Sequence, residues 1–148
     1  MKSLPNRIFF AQAEEQIRQG NNVLIRPEGN SMVPMLRGGS DVVELAPVKP
    51  ENIKRGTVVF YNYRGNYMIH RIMKVGKDGL CDILGDGNIR PEMVPSADII
   101  AVMRSIRHAD GRTIGCDSPG WKFRSWLWMT LRPVRRYILG IMRRINYF

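Results

Sequence analysis

Two residues far apart in the chain have the types that acyl transfer needs. Ser31 lies in "GNSMVPML" (residues 29–36) and His70 in "YMIHRIM" (residues 67–73). A serine hydroxyl becomes a nucleophile only when a base takes its proton, and imidazole is the commonest base at neutral pH. The stretch around Ser31 suits neither helix nor strand. Gly29 frees the backbone, Asn30 and Ser31 compete for local hydrogen bonds, and Pro34 removes a donor. It reads as a stiff turn that presents one hydroxyl; a plain loop is the competing reading.

Alternation along 67–73 puts Met68, His70 and Ile72 on one strand face, and Tyr67, Ile69, Arg71 and Met73 on the other. Two large apolar neighbours would keep the His70 imidazole neutral, as a general base requires. The competing role is a core histidine satisfied by one backbone carbonyl. His108, in a turn-like polar stretch, is the weaker candidate. A third group would orient the imidazole and stabilise its protonated form. Asp86 in "LGDGN" (84–88) and Glu92 after Pro91 both qualify. Asp86 is equally suited to bonding its own turn, and Glu92 to being an exposed acid.

The elements that must position these side chains are mostly strands. Runs at Asn22–Arg26, Asp41–Leu45, Thr57–Tyr61, Tyr67–Lys74, Leu80–Leu84 and Asp98–Ile106 are short, apolar or β-branched, and bounded by turn residues. "YRGNY" (63–67) and "KVGKDGL" (74–80) read as hairpin turns. No helical segment intervenes, so the fold class is mainly β, a folded antiparallel sheet or partly open barrel. A helix is expected over 4–19, with Pro5 in its first turn, Phe9, Ala13 and Ile17 on one stripe, and Gly20 just past its end. Residues 21–108 form the β body, and residues 109–120 a turn and linker. Ser118 caps a helix that has Pro119 in its first position, and residues 121–148 form a basic amphipathic helical tail. Pro133 then restarts a second helix, with Val134, Ile138, Ile141 and Ile145 on one stripe.

Composition sets the outer limits. At 148 residues and 44% hydrophobic content the chain has the size and core of one ordinary domain. Cys81 and Cys116 form no C-x-x-C pair, so no metal or redox site is expected, and a reducing, cytoplasmic compartment is the default. No secretory signal and no membrane-spanning segment are expected. No cofactor is implied. The net charge of +10 is uneven: residues 121–148 hold seven Lys and Arg and no acid, whereas the first 120 hold 16 basic and 13 acidic side chains.

Taken in order, "GNSMVPMLRGGSDVVEL", "RGTVVFYNYRGNYMIHRI" and "ILGDGN" resemble the boxes of the signal peptidase I-like serine peptidases, the group that includes the self-cleaving SOS repressors. The likeness covers roughly residues 22–106. The base position holds His70, as in the archaeal and endoplasmic-reticulum type, rather than Lys. Thr57 stands where the family's Gly-Asp-Val-Val-Phe box has Asp, and one extra residue precedes Asp41. No counterpart is expected here of the membrane anchor that signal peptidases carry before the serine. The resemblance implies a Ser31/His70 pair with Asp86 or Glu92 as the third group. Asn30 and the turn N–H groups would hold the oxyanion, and Met32 and Pro34 would wall the site. A soluble peptidase with an extended peptide or protein substrate follows; a non-catalytic peptide- or membrane-binding module on the same scaffold is the alternative.

The tail allows three readings. Its arginines are solvated on helices packed against the body. Or Arg132, Arg135, Arg136, Arg143 and Arg144, with Trp121, Phe123, Trp126 and Trp128, meet an anionic membrane surface. Nucleic-acid binding is least favoured, since no recognisable nucleic-acid module accompanies the charge.

Overall fold

The computed structural model describes residues 6–145. Helix α1 (Asn6–Arg18) leads, and the expected start at residue 4 with Pro5 lies outside the described residues. Its buried stripe differs from expectation at one position. Ala13 and Ile17 are buried, but Phe9 is 37% exposed and Phe10 packs inward instead, its ring centroid 6.1 Å from Phe60 and 5.8 Å from Tyr67. Positions 10, 13 and 17 make as good a helical stripe as 9, 13 and 17, and the aromatic floor of the sheet selects the first. Gly20, at φ +91°, ends the helix as expected.

Among the described residues eight strands follow: β1 (Val23–Ile25), β2 (Val42–Pro47), β3 (Val58–Tyr63), β4 (Asn66–Val75), β5 (Leu80–Leu84), β6 (Glu92–Pro95), β7 (Ile99–Arg107) and β8 (Thr113–Gly115). They form one sheet in the order β1-β2-β7-β3-β4-β5-β6, every neighbour antiparallel, with β8 on β7. β2 runs along one edge of β7, while β3 and β8 share the other. The sheet curls into a half-barrel. The fold class is therefore the mainly β, folded antiparallel sheet that the strand pattern predicts. The chain reverses between β3 and β4 through Arg64 (φ +52°) and Gly65 (φ +83°), the left-handed pair that a tight hairpin demands.

Alternation sorts the core. Val43, Leu45, Phe60, Ile69 and Ile106 cluster with Ala13 and Ile17 of α1. Val59, Tyr61, Ile72, Ile83 and Val102 form a second cluster. Each such side chain contributes about 1.5–3 kcal/mol by leaving water. Two strands lie outside the sequence expectation. β6 is four residues bracketed by prolines, and β8 falls within the stretch expected to be linker; pairing with β5 and β7, not intrinsic pattern, makes them strands.

Two helices close the chain: α2 (Pro119–Thr130), then a 3-10 turn at Arg132–Val134 and α3 (Arg135–Arg144). The Ser118 hydroxyl accepts the Trp121 N–H at 3.3 Å, the expected cap. The α3 stripe needs correction. Val134, Ile141 and Ile145 are exposed, and the face turned to the body carries Leu139 and the fully buried Arg135. Arg135 goes inward because acceptors wait for it there. It donates to the carbonyls of Gly85 (3.5 Å) and Trp128 (3.3 Å), and its guanidinium lies 5.0 Å from the centroid of the Trp128 ring. It is therefore not available as a surface contact for lipid or polyanion.

Candidate active site

The Ser31 turn is built from its own backbone and then clamped from outside. Val33 N–H bonds the Asn30 carbonyl at 3.4 Å, and the Met35 and Leu36 N–H groups bond that of Met32 at 3.1 and 3.0 Å. Met32, Val33 and Leu36 are buried, which leaves Ser31 half-buried at the surface of the turn. Gly87 N–H donates to the Ser31 carbonyl at 2.8 Å, and Asp86 N–H reaches Met32 Sδ at 3.4 Å. The Gly85–Gly87 loop thus lies directly on the serine turn. A Cβ on Gly85 would overlap the Ser31 carbonyl oxygen and sit 3.0 Å from His70 Cδ2, so only glycine lets the loop, the serine turn and the imidazole meet.

His70 comes from the middle of β4, opposite Val59 of β3. Tyr61, two residues along β3 from Val59, is its diagonal neighbour on the same face, and Tyr61 Oη lies 2.9 Å from His70 Nδ1. Glu92 of β6 completes the group. Its Oε1 accepts the Tyr61 hydroxyl at 3.3 Å and lies 3.3 Å from His70 Nδ1. A carboxylate only accepts, so the tyrosine proton points to Glu92 and the tyrosine lone pair is left for an Nδ1–H. Nδ1 is then the donor nitrogen, and Nε2 carries the free lone pair. Burial pulls the His70 pKa below the usual imidazole value, against the opposing pull of Glu92. The same burial, reinforced by Glu92, drives the Tyr61 pKa far up, so its hydroxyl stays protonated.

Ser31 and His70 line one cavity of about 410 Å³ together with Glu92, Asn88, Met32 and Met68. Phe60, Ile69 and Leu36 supply further apolar wall, and Glu28 is the second acid. No hydrogen bond joins Ser31 Oγ to His70 among the described residues; in unliganded enzymes such bonds are often long and tighten with substrate. The backbone N–H of Ser31 makes no hydrogen bond among the described residues.

The other expected site residues fall in different places. Asp86 is fully buried and gripped by Arg71, with Arg71 Nε on Oδ1 at 2.9 Å and Nη2 on Oδ2 at 2.8 Å. The side-chain hydrogen bonds at His70 Nδ1 thus come from Tyr61 and Glu92 and not from Asp86. Asn30 and Pro34 are not among the cavity-lining residues; the Asn30 carbonyl serves the turn. His108 is taken by Asp41, whose Oδ2 lies 3.1 Å from its Nδ1. Tyr61, Asn88 and Arg71 escaped the sequence reading. Tyr61 was findable only with the β3–β4 register in hand, whereas Asn88 stood in the Gly-Asp-Gly-Asn box itself.

The tail helices reach this site from behind. Trp128 Nε1–H donates to the Asp86 carbonyl at 2.9 Å, Arg135 bonds that of Gly85, and Val33 packs with Trp128 and Leu139. Arg71 spans the same region, donating to the Gly56 carbonyl at 2.9 Å and lying 5.3 Å from the Trp121 ring centroid. A second, larger cavity of about 880 Å³ between the sheet and α2 holds neither Ser31 nor a histidine; its Cys116 thiol is pushed up to about 12 by burial and is not a nucleophile at neutral pH. Among the described residues, no group of three or more His, Cys, Asp and Glu is placed to hold a metal ion. No protein-family model matches the chain, and comparison with curated proteins finds no match.

Proposed function

We infer that this chain is a serine endopeptidase of the signal-peptidase-like kind, with Ser31 as nucleophile and His70 as general base. The observation that carries the reading is the shared cavity. A serine on a clamped turn and an imidazole with its Nδ1 tied to Tyr61 and Glu92 face the same space. His70 Nε2 takes the Ser31 Oγ proton as that oxygen attacks a peptide carbonyl. The tetrahedral oxyanion meets the Ser31 N–H, and collapse returns the proton to the leaving amine. Water, activated by the same imidazole, then releases the acyl group from Ser31. Glu92 and Tyr61 act as positioning residues that fix the tautomer.

The substrate binds extended. β1 is an end strand of the sheet, and the chain leaving it, Pro27 to Gly29, lines the cavity. A strand added along β1 runs directly into the site and gains main-chain hydrogen bonds there. The walls of Met32, Leu36, Phe60 and Met68 favour an apolar side chain near the cut. The purified chain is tested on a library of extended peptides read by mass spectrometry. The expected result is cleavage that drops by about 10⁴-fold or more in Ser31→Ala and in His70→Ala. Cleavage that persists in both variants overturns the assignment.

A further inference from the structure

The inner and outer faces of the tail helices differ sharply. The inner face is consumed by the body through Trp121, Trp128, Leu139 and Arg135. The outer face is apolar and uncovered. Of the thirteen large hydrophobic side chains exposed among the described residues, seven lie between Phe123 and Ile145. On α2 these are Phe123, Trp126 and Leu127, at i, i+3 and i+4, with the Phe123 and Trp126 rings 6.2 Å apart. From the 3-10 turn through α3 they are Val134, Tyr137, Ile141 and Ile145, again at helical spacing along one face. Cations flank both groups: Lys122 and Arg124 on α2, and Arg136, Arg143 and Arg144 on α3, all exposed. No acid occurs from residue 121 to the end of the chain.

We propose that this outer face of α2 and α3 docks onto an anionic lipid surface, holding the enzyme flat on a membrane. Charge decides between occupants. A second copy on the same face would bring another set of cations against the first with no acid to meet them. A polyanion such as a nucleic acid would use the cations but leave Phe123, Trp126, Leu127 and Ile141 without a role. An anionic bilayer uses both, because aromatic and aliphatic side chains enter the headgroup boundary while Lys and Arg stay with the phosphates. No helix among the described residues is long and apolar enough to cross a membrane, so the contact is peripheral. The helices that dock outward are the ones that grip Gly85 and Asp86 inward, so the cleft is carried at a fixed attitude to the surface.

Trp126 makes the test direct. It is 55% exposed, whereas Trp121 and Trp128 are buried, so a change in tryptophan emission on docking reports mainly Trp126. The full-length chain is titrated with phosphatidylcholine vesicles, with and without about one-third phosphatidylglycerol, at low and high salt. The expected result is a blue shift and co-sedimentation with the anionic vesicles only, weakened by salt. Partitioning should fall about fivefold for Lys122→Gln or Arg124→Gln alone. It should fall about tenfold or more for the Phe123→Ser, Ile141→Ser pair. Circular dichroism and the melting temperature should stay those of the wild type, since all four side chains are exposed. Cleavage of soluble peptides by these variants should also be unchanged, which separates failure of docking from failure of the peptidase reading. The proposal is overturned by binding indifferent to lipid charge, by no binding, or by variants that bind as the wild type does. Concentration-dependent dimerisation that shields Trp126, or tighter binding to a single-stranded oligonucleotide than to the vesicles, also overturns it.

Discussion

His70 is flanked by residues that serve opposite ends of the site. Its own ring is held at Nδ1 by Tyr61 and Glu92, while the next residue, Arg71, points its guanidinium into Asp86. Two acids that look alike in the sequence thus have different work. Glu92 stabilises a proton on the imidazole, and Asp86 neutralises a buried arginine. Glu92→Gln removes a charge that raises the His70 pKa, so the acid limb of kcat/KM should move to lower pH while kcat falls about ten- to hundredfold. A purely structural Glu92 would instead lower stability and leave the pH profile in place. Ser31 and His70 could be singled out from residue types and local boxes. Which acid contacts the imidazole could not, because that depends on Arg71, whose charge shows in the sequence but whose buried partner does not. Glu92 Oε2 is buried without a hydrogen-bond partner among the described residues, and a substrate or water donor would satisfy it.

At the scale of elements, the site is a junction of five pieces: the Ser31 turn, β3, β4, β6 and the Gly85–Gly87 loop. The loop is the keystone, because it bonds the serine turn on one side and α2 and α3 on the other. Trp128→Phe keeps an aromatic ring, smaller than the indole, but deletes the donor to the Asp86 carbonyl, and leaving that buried acceptor without this donor costs about 1–3 kcal/mol beyond the lost packing. The expected readouts are a lower melting temperature and slower acylation of Ser31, with peptide KM little changed. A variant that melts earlier yet acylates at the wild-type rate would show that the tail merely packs. Six of the eight strands were legible as alternating runs between turn residues. β6 was not, since "EMVP" between prolines carries no strand signal of its own, and it brings Glu92 to the site only by pairing Ile83 with Glu92. Arg135 misled for a related reason. Its charge argues for solvent, and the carbonyl of Gly85, far away in the chain, together with the carbonyl and indole ring of Trp128 outweighs that preference.

For the whole molecule, a nearly neutral β body carries a cationic helical tail whose inner face is structural and whose outer face is free. The mainly β class was legible because period-two patterns and hairpin turns are local. The docking of the tail onto the Gly85–Gly87 loop was not, because Trp128 meets Asp86 across 42 residues of chain. The buried His70 imidazole also ties global stability to pH. Its folded pKa lies below the usual 6.5, so above that value both folded and unfolded chains hold it neutral and it adds no pH dependence. As pH falls, the unfolded chain takes the proton first and stability drops. Urea midpoints taken at about pH 7.5 and about pH 5.5 should differ more for the wild type than for His70→Gln. Equal differences in the two proteins would mean that the imidazole is not held neutral by the fold.

The proposed function rests on activation of the Ser31 hydroxyl by the His70 imidazole. The most direct measurement is the intact mass of the full-length chain after treatment with a serine-reactive acylating agent, followed by peptide mapping. The expected result is a single adduct on Ser31 that is absent from Ser31→Ala and formed far more slowly in His70→Ala. An adduct on another residue, or one that forms at an undiminished rate in His70→Ala, would contradict it.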